Sequence, residues 1–221
     1  MRGIEPHRHR GVFTDGKSIF TENLVPGESV YGEKLARQRN TEYRRWDPMR
    51  SKLGALVQKG TANFPIGETS KILYLGAASG TTASHVSDIA RGGVIYCVEV
   101  SKIPFQKLLL LARKRKNIIP IMADASFPER YARIVPDVDL VYQDIAQRDQ
   151  VWIFVKNLGF LRSGGHGIMM IKARSIDVAK EPRDIYSQVE KDFRDRGLQV
   201  METKELAPFE KDHAAIILRK T

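Results

Sequence analysis

Three acidic residues each follow a short apolar run in successive parts of the chain. They are Glu99, Asp124 and Asp144. The carboxyl ends of parallel strands meet at one edge of a sheet, so these carboxylates are predicted to lie together there and to bind the hydroxyl and amino groups of a ligand. An acid after a strand can instead cap the next helix, and for Asp124 a cap for a helix at 127–133 stays open.

A Gly-rich turn precedes these acids and starts where an apolar run ends at Leu75. Its sequence is Gly76-Ala77-Ala78-Ser79-Gly80, and a helical pattern opens at Thr81. Small residues let the backbone approach a ligand, but the G-x-x-x-G spacing differs from the G-x-G-x-x-G of a pyrophosphate-binding turn. The sequence also contains no phosphate-binding G-x-x-x-x-G-K-[ST] motif. The turn and the acids together favour an adenosine-type cofactor without phosphates, such as S-adenosylmethionine.

Strands and helices alternate from residue 51 onward, which predicts an α/β fold with a Rossmann-like, mostly parallel sheet. Strand patterns lie at 71–75, 94–98, 118–122, 138–143, 166–172, 198–205 and 213–219. Helical patterns lie at 52–60, 81–90, 102–115, 127–133, 149–159 and 181–196. The last two strands leave no room for a helix between them, so we expect them to form an antiparallel pair. Ser51 is a candidate cap for the first helix, and Gly60 is expected to end it.

Residues 1–50 read as a small β-rich subdomain, ahead of the α/β domain at 51–221. Short extended pieces around Asp15-Gly16 and Pro26-Gly27 predict hairpins. Basic residues are expected to form an exposed rim around them, namely Arg8, Arg10, Arg37, Arg39, Arg44 and Arg45 together with His7 and His9. We interpret the two histidines as part of an exposed, disordered tail rather than a metal site, and we predict no metal site elsewhere.

The composition favours a polyanionic partner without deciding for it. Thirty-six Lys and Arg against 26 Asp and Glu give a net charge of +10, which suits nucleic acid or simply a solvated basic surface. Cys97 is the one cysteine and lies in an apolar run, so it is predicted to be a small buried side chain. The sequence has neither an apolar run of membrane-spanning length nor an apolar signal core, which predicts a soluble intracellular protein.

Several long motifs resemble the fibrillarin family. They are Arg50-Ser51-Lys52-Leu53-Gly54-Ala55, Leu73 to Asp88, Asp144-Ile145-Ala146-Gln147, Lys172 to Asp177, and Pro208 to Ala214. The resemblance runs from about residue 5 to the C-terminus and is to the short archaeal form, which implies a cytoplasmic location. It implies an S-adenosylmethionine-dependent 2′-O-methyltransferase of box C/D ribonucleoprotein particles.

The resemblance also implies site residues. Cofactor contacts fall on Thr81, Thr82, Glu99, Val100, Asp124, Ala125, Asp144 and Gln147, and the Gly-rich turn adds Gly76, Ala77 and Ser79. Most family members have an aromatic residue where this chain has Val100. The family's catalytic tetrad falls on Lys52, Asp144, Lys172 and His213.

A ribose 2′-hydroxyl is a poor nucleophile, and these four residues suggest how it is activated. Lys172 is expected nearest the 2′-oxygen as the base, because like-charge repulsion from Lys52 favours the uncharged amine that can take a proton. Asp144 is expected to orient Lys172, and His213 to orient the ribose or relay the proton. From the residues alone, Lys52 also reads as an ordinary solvated charge and His213 as a structural residue.

The resemblance implies a guide RNA that selects the target RNA, a Nop-domain scaffold protein and a kink-turn-binding ribosomal-type protein, with no membrane partner. Arg174 is expected to hold RNA phosphates, whereas Arg113 to Lys116 are better explained as cations at a helix C-terminus. Two alternatives stay open. One is a stand-alone methyltransferase for a small molecule or a protein, including a protein glutamine; the other is a non-enzymatic scaffold.

Overall fold

Apolar runs from residue 71 onward form one seven-stranded sheet in the computed structural model, which describes residues 3–221. Its strands are β6 (Lys71–Leu75), β7 (Val94–Glu99), β8 (Ile118–Met122), β9 (Val138–Gln143), β10 (Leu161–Lys172), β11 (Gln199–Glu205) and β12 (His213–Arg219). They run in the order β11-β12-β10-β9-β6-β7-β8. All pairs are parallel except β10–β12 and β11–β12, which confirms the predicted sheet and its antiparallel edge.

Helices cover both faces of this sheet, because successive residues of its strands are apolar and point to opposite sides. The helices are α1 (Lys52–Gln58), α2 (Thr81–Ile89), α3 (Lys102–Lys114), α4 (Gln150–Asn157), α5 (Ala173–Ile176) and α6 (Pro182–Asp195). Tyr74 and Tyr142 belong to one buried cluster, while Leu73, Leu75 and Val141 belong to the other. The strand order reverses between β6 and β9, so a crevice opens where these two strands end.

The predicted cap of the first helix is confirmed. The Ser51 side chain accepts a hydrogen bond of 3.1 Å from the Gly54 N–H, and α1 ends at Gln58, two residues before Gly60. The predicted helix at 127–133 is wrong, because only a short 3₁₀ turn forms at Pro128–Arg130. Pro136 follows closely and disfavours helical geometry at the preceding residue, so this segment has no length in which to propagate a helix.

The N-terminal residues form a separate five-stranded antiparallel sheet. Its strands are β1 (Glu5–Pro6), β2 (Val12–Thr14), β3 (Ile19–Glu22), β4 (Leu35–Gln38) and β5 (Thr41–Trp46), in the order β1-β2-β3-β5-β4. The hairpin at Asp15-Gly16 is confirmed, since Phe13 pairs with Phe20 across it. The hairpin at Pro26-Gly27 is wrong, because the chain runs from 23 to 34 without a strand.

Two parts of the predicted basic rim are also wrong. His9 is buried, its Nε2 lies 3.1 Å from the Thr61 carbonyl oxygen, and its ring stacks on Phe64. Burial, together with the nearby His7 and Arg8, lowers the pKa of His9 to about 4. His9 is therefore an uncharged, ordered residue packed against the loop after α1, and not part of an exposed tail.

Arg44 is the second exception, because it lies fully buried between the two sheets. Four residues form what we call the buried charge cluster: Glu33, Arg44, Asp88 and Arg115. Arg44 lies 2.6 Å from Glu33 and 2.8 Å from Asp88, and the other Asp88 oxygen lies 2.5 Å from Arg115. Arg115 thus has a buried ion-pair partner. The prediction that it is a solvated cation at the C-terminus of α3 is wrong.

The two sheets are joined by this cluster and by apolar packing. Val12, Ile19 and Trp46 of the first sheet belong to the same buried cluster as Leu53 and Val86 of the second. A domain boundary at residue 50 stays a prediction. Among residues 3–221, no helix is long and apolar enough to cross a membrane, and no group of His, Cys, Asp and Glu could hold a metal ion.

Candidate active site

A cavity of about 260 Å³ lies at the carboxyl ends of β6, β7, β8 and β9, where the strand order reverses. Its lining includes seven of the predicted cofactor residues, namely Gly76, Glu99, Val100, Asp124, Ala125, Asp144 and Gln147. It also includes Ile153 of α4, an apolar wall that nothing in the motifs indicated. The three predicted carboxylates therefore do share one edge of the sheet. They suit a ligand with ribose hydroxyls, an amino group and a positive charge.

Four predicted cofactor residues are not part of this lining. Ala77 is buried, and the Thr82 hydroxyl is also buried and donates a 2.9 Å hydrogen bond to Ser51. Ser79 and Thr81 line a neighbouring cavity, beside Tyr31 and Arg50. The turn contributes only Gly76 and Ala78 to the cavity, and the chain then leaves the cavity to enter α2 at Thr81.

The Gly-rich turn is held open by Glu99. One Glu99 oxygen accepts a 2.8 Å hydrogen bond from the Ala78 N–H, and the other accepts 2.7 Å from the Ser101 N–H. Ala78 has φ of 48°, a left-handed conformation that non-glycine residues rarely adopt. Glu99 thus stabilises a strained turn as well as lining the cavity, a second role that the sequence did not indicate.

Gly76 has φ of 78°, and a Cβ there would lie 2.5 Å from the Asp144 carbonyl oxygen. We expect Gly76→Ala to weaken S-adenosylmethionine binding at least about tenfold, because αL geometry costs about 1–2 kcal/mol and the clash displaces Asp144. Isothermal titration calorimetry measures this. Gly159→Ala is the matched control, since a Cβ at Gly159 meets nothing within 4 Å. Equal affinities for the two variants would contradict this account of the turn.

Lys52 and Asp144 form an ion pair beside the cavity, with 2.8 Å between Lys52 Nζ and Asp144 Oδ1. Lys52 is the first residue of α1, and the Ser51–Thr82 hydrogen bond ties the start of α1 to the start of α2. The expectation that Asp144 orients Lys172 is corrected: its ion pair is with Lys52.

Two tyrosines of the strands beneath Asp144 stay uncharged. Burial, followed by the Asp144 carboxylate, raises the pKa of Tyr74 well above its ordinary value. Burial, followed by Tyr74 and Asp144, does the same for the pKa of Tyr142. Asp144 therefore has Lys52 as its ion-pair partner, and the two tyrosine rings below it carry no charge.

Lys172 and His213 lie directly opposite each other on β10 and β12. Cross-strand partners project to the same face, and alternation along β10 puts that face on the side of α1. Alternation from Tyr142 places Asp144 on this side too. Lys52, Asp144, Lys172 and His213 thus share one face at one end of the sheet. Within residues 3–221 the Lys172 amine has neither a hydrogen bond nor an ion pair.

The ring orientation of His213 is set by its own loop. His213 Nδ1 lies 2.7 Å from the Lys211 carbonyl oxygen, which only accepts hydrogen bonds, so Nδ1 carries a proton. In the uncharged ring the lone pair is then on Nε2. This tautomer leaves Nε2 able to accept a proton or a hydroxyl hydrogen bond.

Gln150 is a site residue that sequence reasoning missed. Its fully buried side chain accepts a 3.1 Å hydrogen bond from the Lys172 N–H. Its amide donates to the carbonyls of Lys172 (3.3 Å) and Gln147 (2.9 Å). It therefore joins the loop that lines the cavity to the end of β10. The only signal in the sequence was a polar residue at the first position of a helix, where it does not serve as the cap.

We expect Gln150→Leu to lower kcat for methyl transfer about tenfold, with S-adenosylmethionine affinity changed less, because a misplaced Lys172 affects alignment more than binding. Steady-state kinetics and calorimetry separate the two effects. Gln188→Leu on the exposed face of α6 is the control. An unchanged kcat would show that the strand end does not depend on Gln150.

The sequence suggested that Arg174 is available to bind RNA phosphates, but its side chain has partners within the protein. Its Nε is 3.2 Å from Asp212, and it donates 3.0 and 3.2 Å hydrogen bonds to the carbonyls of Val178 and Lys180. Arg174 therefore holds the loop after α5 against the start of β12.

Comparison with known proteins identifies the family. The family model described as Fibrillarin matches residues 4–221. The chain belongs to the fibrillarin family. The fibrillarin-like rRNA/tRNA 2′-O-methyltransferase of Methanopyrus kandleri is 49% identical over 97% of this chain and 96% of that protein.

Two solved structures of the fibrillarin family have the same fold. Aeropyrum pernix fibrillarin with natively bound S-adenosyl-L-methionine superposes with a TM-score of 0.89, is 46% identical, and covers 98% of this chain and 97% of that one. The chain in a fibrillarin/Nop5p complex has a TM-score of 0.88 and 42% identity, over 96% of this chain and 98% of that one. The resemblance read from the motifs is thereby confirmed, and so is the Rossmann-like methyltransferase fold.

Proposed function

We propose that this chain transfers the methyl group of S-adenosylmethionine to the ribose 2′-hydroxyl of rRNA and tRNA nucleotides that a box C/D guide RNA selects. The observation that carries the proposal is the position of Asp144. Asp144 lines the cavity, and its carboxylate also pairs with Lys52. This ion pair lies on the face of the sheet that also carries Lys172 and His213. Asp144 thus connects the cavity for the methyl donor to the residues that would act on the ribose 2′-hydroxyl.

The residues of the cavity fit S-adenosylmethionine. Glu99 offers carboxylate oxygens for ribose hydroxyls, while Asp124 and Asp144 offer negative charge for a sulfonium and an amino group. Val100 is 53% exposed at the rim, so it gives the adenine an aliphatic surface where most family members place an aromatic ring. When bound, S-adenosylmethionine supplies a methyl group on a positively charged sulfur.

The protein's own residues then act on the acceptor. Lys172 takes the proton of the 2′-hydroxyl, since its amine faces the site without an internal partner among residues 3–221. His213 accepts a hydrogen bond from the ribose at Nε2 and thereby orients it. Asp144 holds Lys52 so that a positive charge faces the oxygen as negative charge develops there. Positioning of this kind contributes several kcal/mol, about 7 in favourable cases.

Selection of the target nucleotide is assigned to other components. A Nop-domain scaffold protein holds the chain on the particle, as the fibrillarin/Nop5p complex supports for the relative, and a kink-turn-binding ribosomal-type protein completes it. The net charge of +10 suits assembly on RNA.

The test is methylation by a reconstituted particle. With labelled S-adenosylmethionine, we expect the methyl group in RNA only when guide RNA, scaffold and kink-turn protein are all present. Robust methylation of a peptide or a small molecule by the chain alone would favour the stand-alone methyltransferase. Failure to bind S-adenosylmethionine in calorimetry would favour the scaffold.

A further inference from the structure

The N-terminal sheet is curled so far that a side chain on one edge strand reaches the residue before the other edge strand. Gln38 of β4 accepts a 2.7 Å hydrogen bond from the Ile4 N–H and donates another of 2.7 Å to the Ile4 carbonyl, next to β1. Since β1 and β4 are the opposite edges of the sheet, this side chain nearly closes it. A groove of about 800 Å³ lies in the curled sheet, far larger than the cofactor cavity.

The groove is lined by four cations and one acid. The cations are Lys17, Lys34, Arg37 and Arg45, and the acid is Asp15. All four cationic side chains are exposed, and none has an ion pair or hydrogen bond within residues 3–221. Backbone N–H groups of Ser18 and Lys17 lower the pKa of Asp15, so this acid stays charged. Four positive charges against one negative leave three uncompensated.

We propose that this groove binds the phosphodiester backbone of RNA. Unpaired Lys and Arg side chains in a concave surface are the features that attract phosphates. Phe20 is the aromatic residue in the lining and is only 5% exposed, so the groove offers no ring on which a base could stack. The site therefore holds backbone without reading sequence, which suits an enzyme whose target is chosen by pairing. The choice of RNA as the polyanion rests on the proposed function.

The groove is connected to the catalytic face. The Gln58 amide donates a 3.3 Å hydrogen bond to the Lys17 carbonyl, and Gln58 is the last residue of α1, the helix that begins with Lys52. RNA held in the groove is thus held relative to the helix that carries one of the tetrad residues. The groove provides a second contact with RNA away from the reacting nucleotide.

The test is the salt dependence of RNA binding by the double variant Lys34→Gln/Arg45→Gln. With a short fluorescent RNA duplex, we expect affinity at low salt to fall at least about tenfold and the log–log salt slope to decrease by about 1.8, at about 0.9 per lost contact. Arg133→Gln/Arg196→Gln removes the same charge from exposed sites outside the groove and serves as the control.

Several outcomes would overturn the groove. They are an unchanged slope, an equal loss in the control, or binding to phosphatidylserine vesicles that exceeds binding to RNA. Thermal melting and S-adenosylmethionine affinity should equal those of the unmodified chain, which confirms folding. The proposal for the groove can be wrong while the proposed methyl transfer is right, and the reverse, since duplex binding requires no guide, scaffold or methyl donor.

Discussion

Replacing Lys172 with alanine is expected to abolish methyl transfer while S-adenosylmethionine affinity changes less than about twofold. Removal of a general base costs about 10²–10⁴ in rate, and Lys172 lies directly opposite His213 at the end of β10. The backbone at Lys172 is held by Gln150, so the end of β10 keeps its position without the lysine side chain. Single-turnover methylation and calorimetry on the same preparations measure the two quantities.

Two further variants sharpen this result. Lys180→Ala removes an exposed lysine from the nearby loop and should keep the unmodified rate. Lys172→Arg should be as inactive as the alanine variant if Lys172 takes a proton, because a guanidinium stays protonated. Substantial activity of the arginine variant would mean that position 172 supplies only positive charge. Wild-type rate in Lys172→Ala would remove the residue from the mechanism.

Asp88→Asn is expected to cause the largest loss of stability, about 3–5 kcal/mol, because it leaves two buried guanidiniums short of a counter-charge. Asp88 contacts both Arg44 and Arg115, and all three side chains are buried. Asp88 also accepts hydrogen bonds from the Thr21 hydroxyl (2.7 Å) and the Leu24 N–H (2.9 Å), so the change loosens the first sheet from the second. A loss of this size lowers Tm by about 6–20 °C in a chain of this length.

Asp195→Asn is the matched control for this substitution. It breaks an exposed ion pair with Lys191 on α6, which solvent screens, so we expect the melting temperature to stay close to that of the unmodified chain. Calorimetric unfolding of both variants makes the comparison. Equal melting temperatures would show that the buried charge cluster does not hold the two sheets together.

The strands of the main sheet were predictable, because their signal is local. The runs at 71–75, 118–122 and 138–143 are largely apolar, a glycine or an acid follows each within two residues, and the structure has the same bounds. Strand β10 begins at Leu161, earlier than the predicted 166, since a register shift with Gly164 at φ of 72° lets pairing continue past the glycines. Strands β4 and β5 were missed because their polar, Arg-rich sequences gain burial only from contacts distant in the chain.

The site was predictable as a set of residues and less so as a set of contacts. The strand ends brought the three carboxylates to one cavity, as a parallel sheet must. The partner of Asp144 depended on where α1 packs, 92 residues away in sequence, and Arg115 was misplaced because its counter-charge lies on α2. The role of Gln150 was not predictable, because a buried amide that hydrogen-bonds to backbone groups needs no particular motif.

The most direct test of the central claim replaces the target ribose by 2′-deoxyribose at the one guide-selected nucleotide. In the reconstituted particle, the unmodified target RNA should gain one methyl group at that nucleotide, as mass spectrometry of RNA fragments locates it. The deoxy target should pair with the guide equally well and gain none. A methyl group that still reaches the deoxy nucleotide would lie on another atom, and it would contradict a face built from Lys52, Asp144, Lys172 and His213 to activate a 2′-hydroxyl.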